Sequence, residues 1–130
     1  MHIETPKKAL NKSDEQVFTF LTKVQNFKAL MPENIDKFEV LDEKTFKFAL
    51  KGMPEIVLTL KEEHPNNKII LGSASGKLPF TLTSDIVSTG DNSCEVGLGF
   101  EGEFNAMMAM MIKGPITNFM QTLSQNMEKI

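Results

Sequence analysis

The hydrophobic period of this chain changes twice, and no other feature constrains its fold as much. From Ser13 to Met31 apolar residues recur at helical spacing, from Glu33 to Phe104 they alternate with a period of two, and from Asn105 to Ile130 helical spacing returns. Only an α+β arrangement accommodates that order: short helices, then a run of half-buried antiparallel strands, then one long helix.

Local chemistry sharpens each segment. His2–Leu10 reads as a first strand, with Pro6 marking an edge position or an irregularity because it has no N–H for a ladder. Ser13-Asp14-Glu15-Gln16 reads as a capping box that opens a helix carrying Val17, Phe18, Leu21 and Val24. The segment Asn26–Met31 continues helical until Pro32 stops it. In the middle of the chain, Phe46, Phe48 and Leu50 alternate with Lys47, Ala49 and Lys51, and Ile56, Leu58 and Leu60 repeat the pattern. Turns are expected at Gly52-Met53-Pro54, His64-Pro65-Asn66-Asn67, Gly76-Lys77 and Gly90-Asp91-Asn92, which leaves Lys68–Ser75 and Leu78–Thr89 as strands. The last strand is the clearest. Cys94, Val96, Leu98, Phe100 and Phe104 point one way, while Glu95, Gly97, Gly99, Glu101 and Glu103 point the other. Two successive outward glycines permit a strong bend, so this strand should curl around the tail helix. That helix would be about 38 Å long. Gly114-Pro115 should interrupt or kink it, since the Pro115 ring crowds the Met111 carbonyl and donates no hydrogen bond.

The 130 residues fit a single domain, and no repeat or linker divides them. A net charge of -3 and the complete absence of Arg argue against nucleic acid as a partner. Met1–Lys8 lacks the apolar stretch of a signal peptide, and the longest apolar run, Ala106–Ile112, is too short to span a bilayer. Cys94 is the sole cysteine, so no intramolecular disulfide can form and a reducing, cytoplasmic setting is expected.

Chemistry is sparse. Neither His2 at the N-terminus nor His64 in a turn is placed to activate Cys94, which is read as a core residue. No spacing of His, Cys and carboxylates suits a metal, so no metal, no cofactor and no catalytic residue is expected. Asp42/Glu43, Glu62/Glu63 and Glu101/Glu103 read as solvated pairs, and strand parity puts Asp85 on the outer face. Ser73, Ser75 and Ser84 share the parity of inward apolar residues and could present hydroxyls to a cavity. The unusual cluster is Met107, Met108, Met110 and Met111. They read first as adaptable core filling and otherwise as a deformable wall or entrance for a ligand, and since four methionines in five helical positions cannot all face one side, some are expected to be exposed or to contact a partner.

A strand, two short helices, six further antiparallel strands and a long C-terminal helix is the order of the helix-grip fold. The chain resembles the START-like superfamily, which includes the birch-pollen allergen type, polyketide cyclases, coenzyme-Q-binding proteins and the type associated with carbon-monoxide dehydrogenase, the last closest in appearance. Asn26-Phe27-Lys28-Ala29-Leu30-Met31-Pro32 and Gly114-Pro115-Ile116-Thr117-Asn118-Phe119 carry the resemblance. Fatty-acid-binding proteins also place two helices after their first strand but lack a C-terminal helix. The resemblance implies a curved sheet of about seven strands wrapping the last helix, with a cavity between them for an apolar ligand. Its expected walls are Leu30 and Met31 from the segment before the sheet, Phe46, Phe48, Leu58, Phe80, Leu82, Leu98 and Phe100 from the inward sheet face, and Met108, Met111, Ile112 and Phe119 from the helix. Noncatalytic binding or transport of a lipid, quinone or polyketide is the leading expectation. The alternatives are a protein-interaction or assembly role, including a homodimer packed through the Met-rich helix, and a cyclase- or hydrolase-type enzyme.

Overall fold

In a computed structural model of the chain, residues 1–33, 35–51, 55–74 and 80–130 are described. The expected turns at Gly52-Met53-Pro54 and Gly76-Lys77, and the inward hydroxyl of Ser75, lie outside them. The elements are β1 (His2–Glu4), β2 (Lys8–Leu10), α1 (Asp14–Leu21), a 3₁₀ helix (Val24–Leu30), β3 (Ile35–Asp42), β4 (Thr45–Leu50), β5 (Ile56–His64), β6 (Lys68–Ser73), β7 (Phe80–Gly90), β8 (Ser93–Gly102) and α2 (Ala106–Asn126). A short 3₁₀ turn, Met127–Lys129, follows.

The strands form one antiparallel sheet in the order β1-β8-β7-β6-β5-β4-β3, with β2 also paired to β8. Eight strands stand where seven were expected because the first is broken at Pro6. Both pieces run along β8, His2–Glu4 against Gly99–Glu101 and Lys8–Leu10 against Cys94–Val96. Thr5 bridges the gap: its N–H donates to the Leu98 carbonyl at 2.9 Å, and its hydroxyl accepts from the Leu98 N–H at 3.1 Å. The backbone groups that the proline would orphan are thereby satisfied.

The capping box forms as the sequence predicts, with the Ser13 hydroxyl accepting from the Gln16 N–H at 3.1 Å and the Gln16 side chain accepting from the Ser13 N–H at 3.0 Å. The even residues of β8 are the buried ones: Cys94, Val96, Leu98 and Phe100 face the interior, while Glu101 lies outside. Asp85 is on the outer face, 3.4 Å from the Lys68 ammonium.

α2 runs from Ala106 to Asn126 with Pro115 inside it, so Gly114-Pro115 does not divide the helix, and one methionine expected to face inward, Met111, faces outward. Pro115 sits on the solvent side of the helix, where water can serve the Met111 carbonyl that a residue-115 N–H would otherwise meet. The inward face is Met108, Ile112, Ile116, Phe119, Leu123 and Met127, spaced by three or four residues. That phase turns Met107, Met110 and Met111 outward, with 74%, 82% and 69% of their surfaces exposed.

Candidate functional site

Hairpin connectivity gathers one set of strand ends beside the start of α2. Register pairs Phe48 with Ile56, Leu58 with Ser73, Phe80 with Gly102 and His2 with Glu101, so the ends of β4 to β8 and the start of β1 share one end of the sheet. The N-terminal half of α2 leaves β8 at this same end. Asn105 caps it, its side chain accepting from the Met108 N–H at 2.8 Å.

The residues read from the sequence as ligand walls fall into two groups. Phe46, Phe48 and Phe119 belong to a stacked aromatic row, with Phe46 to Phe48 at 5.9 Å and Phe48 to Phe119 at 5.0 Å between ring centroids. Phe27 extends the row at 5.2 Å from Phe46, and Phe38 stacks on Phe46 at 5.4 Å. Leu30, Met31 and Leu58 are buried around it. This part of the sheet–helix space is filled by side chains. The second group is Phe80, Leu82, Leu98, Phe100, Met108 and Ile112. Here Phe80 stacks on Phe100 at 5.3 Å and Phe100 on Phe104 at 6.3 Å, and Phe80, Phe104 and Met108 all remain partly exposed. Met111 belongs to neither group, since helical phase carries it to the outer side of α2.

Two depressions open at this end. The larger, about 790 Å³, is bordered by Phe80, Gly102, Met1 and Ser73, with Lys61, Thr81, Glu101 and Glu103 at its rim. It extends from the partly exposed Phe80 over the outer face of the sheet rather than under α2. The smaller, about 380 Å³, lies in the seam between α2 and β4, between Pro32, Leu50, Pro115 and Phe119.

Two local irregularities shape the larger depression. The register of β5 against β6 shifts between Leu60 and Glu62, and the Lys61 side chain folds across Gly72, where a Cβ would sit 2.9 Å from Lys61 Cγ. At Gly102 a Cβ would lie 2.5 Å from Phe104 Cε2, so only glycine lets that ring fold back over the end of β8.

Several charges near this end form ion pairs at the surface. His2 Nε2 is 2.7 Å from Glu4 and its Nδ1 is 3.4 Å from Glu101. The hydrogen bond from Lys47 holds the Glu55 carboxyl below its ordinary range, with Lys37 and the Lys47 charge adding, and Glu55 in turn raises Lys47. Cys94 lies in the core, where burial pushes its thiol pKa up, with the Asp14 carboxylate contributing. That is the opposite of what activates a nucleophile. Ser84 is the one buried polar side chain among the described residues, on the inward face of β7.

The sequence reading missed Phe27, Phe104, Lys61, Thr81 and Met1. Phe27 was legible, because Val24, Phe27 and Leu30 lie at the three-residue spacing of a 3₁₀ helix. Phe104 was placed on the inward face but its stacking partner was not. The other three come together only through tertiary register.

No family model matches the sequence, and no curated protein sequence matches it. Solved structures do. Norcoclaurine synthase from Thalictrum flavum superposes with a TM-score of 0.76 at 13% identity, covering 99% of this chain and 84% of that one. A START superfamily protein from Mycobacterium smegmatis gives 0.69 at 12% identity, covering 98% and 97%. A protein from Thermus thermophilus gives 0.71 at 14% identity, covering 99% and 95%. The chain has the START-like helix-grip fold, a curved antiparallel sheet around a long C-terminal helix. No helix among the described residues is long and apolar enough to cross a membrane.

Proposed function

We propose that this protein, acting as one domain, binds or carries an amphipathic small molecule of the lipid, quinone or polyketide class at the end of the sheet beside the N-terminal half of α2. One observation carries the reading: Phe80 and Phe104, stacked on either side of the buried Phe100, are left partly exposed, as is Met108, and Phe80 borders a depression of about 790 Å³. Small-molecule sites typically measure about 300–1,000 Å³ and combine apolar walls with a few polar groups. The aromatic row takes the apolar part of the ligand. Lys61, Thr81 and Glu101 at the rim meet its polar end. Met108 suits a wall that adapts to different shapes, because its unbranched thioether repacks at low cost. The filled Phe27–Phe46–Phe48–Phe119 row acts as the floor, and it keeps Leu30, Met31, Leu58 and Phe119 as supports rather than contacts.

The test is a thermal-shift and calorimetric titration with palmitate, a short-chain ubiquinone and an aromatic polyketide. A ligand at 100 times its dissociation constant should raise the melting temperature by on the order of 10 °C. Binding should show a negative heat-capacity change. Phe80→Lys should remove the shift while circular dichroism shows an intact fold. If none of the three classes stabilises the wild type, the binding reading is wrong.

A further inference from the structure

Met107, Met110, Met111 and Gly114 stand at i, i+3, i+4 and i+7 on α2, which places them in one stripe on the face opposite Ile112, Ile116 and Phe119. Three methionines exposed by 69–82% form a contiguous apolar ridge of a kind that marks an interaction site. We propose that this ridge is a homodimer interface, in which two copies of α2 pack antiparallel about a twofold axis between Met110 and Met111.

The stripe is complementary to itself in that arrangement. A twofold axis between residues 110 and 111 sets Met110 of one copy against Met111 of the other, and Met107 against Gly114. Gly114 leaves room for that side chain, since the space where its Cβ would stand is open. Isologous contacts need such self-complementarity, and here four residues supply both halves of it.

Charge supports the same pairing. Lys113 is the only charged residue in Ala106–Asn126, and antiparallel packing sends it toward the partner's helix start, beyond which Glu103 and Glu101 are exposed. A lipid surface fits poorly. Interfacial helices carry several cations and aromatic anchors, whereas this face has one lysine, no aromatic residue and a host chain of net charge -3. The stripe covers two turns of α2, about 11 Å along its axis. The area covered falls at the low end for specific interfaces, so the dimer should be weak, with a dissociation constant on the order of 10–100 µM. Met108 lies between this ridge and the buried face of Ile112 and Ile116 and is not part of the stripe, so the inference does not rest on ligand binding.

Sedimentation equilibrium of the full chain from about 1 µM to 1 mM should show a concentration-dependent dimer. Met110→Glu should weaken it by at least ~30-fold while circular dichroism stays unchanged, as suits a side chain 82% exposed. Oxidation of a Met107→Cys/Gly114→Cys double variant should give a covalent dimer, and Val87→Cys, exposed on β7, should not. A monomer throughout, or a dimer indifferent to Met110→Glu, overturns the proposal. So does a monomer that instead binds phosphatidylcholine or phosphatidylglycerol vesicles through these methionines, since the stripe would then be a lipid contact.

Discussion

The two halves of α2 share one helix and one sheet, yet they are held very differently. In the C-terminal half Ile116, Phe119, Met120 and Leu123 are each at most 4% exposed, and Phe119 closes the aromatic row through Phe48. Asn126 fastens that end by donating from Nδ2 to the Leu30 carbonyl at 2.9 Å, and just beyond it Glu128 pairs with Lys8 at 2.9 Å. The N-terminal half reaches the sheet through Met108 and Ile112, beside aromatic rings that stay partly exposed. One half anchors the fold and the other leaves apolar surface available. A fold of this kind can concentrate stability where the helix ends and keep recognition where it begins, because local opening free energies follow buried contact.

The largest expected effect separates the two aromatic rows. Phe48→Ala removes a ring stacked on both Phe46 and Phe119 and should cost about 3–5 kcal/mol in urea unfolding. Phe104→Ala, at the open end, should cost only about 1–2 kcal/mol, since its ring is partly exposed before the change. Equal costs would break the comparison.

A smaller effect is expected from the anchor itself. Asn126→Ala leaves the part-buried Leu30 carbonyl without its donor and should lower stability by about 1–2 kcal/mol. Amides of Leu123–Met127 should then exchange faster, with Met108–Met111 unaffected.

The smallest effect is electrostatic and lies on the outer face near the open end. Glu55 is 3.4 Å from Lys47 and 3.6 Å from Lys37, and its pKa is lowered from 4.5. A lowered carboxyl pKa stabilises the folded chain above about pH 4.5, and that contribution is lost as pH falls through the folded value. Lys47, raised from 10.5, contributes below that pH and loses its contribution as pH rises through its folded value. Between these limits stability should be flat with respect to this pair. Lys47→Met should move the Glu55 carboxyl back toward 4.5 in an NMR titration, and added salt should shrink the wild-type shift.

How far the sequence discloses this architecture depends on the range of the interactions involved. The capping box at Ser13 and the parity of Cys94–Phe100 are legible because each is decided within one element. The direction of the methionines is half legible. Counting shows that four cannot face inward together, and stepping back by four from Ile112 chooses Met108 as the inward one and excludes Met111. The effect of Pro115 is not legible, because its cost depends on whether water or protein surrounds the Met111 carbonyl, and helical phase settles that only once the buried face is known. Nor is the depression beside Phe80, since it depends on the shift of β5 at Lys61 and on which strands meet at Thr81 and Glu101.

The division of α2 is tested most directly by its own methionines. Of the nine in the chain, Met108, Met120 and Met127 point toward the sheet side or core, while Met107, Met110 and Met111 face outward. With the side-chain methyls labelled with ¹³C, a stabilising apolar ligand added at fixed protein concentration should shift the Met108 resonance and leave Met120 and Met127 in place. Diluting the unliganded protein should instead move Met107, Met110 and Met111. Ligand-induced shifts at Met120 and Met127 with Met108 unmoved would contradict the account, because the binding space would then lie within the closed half of the helix.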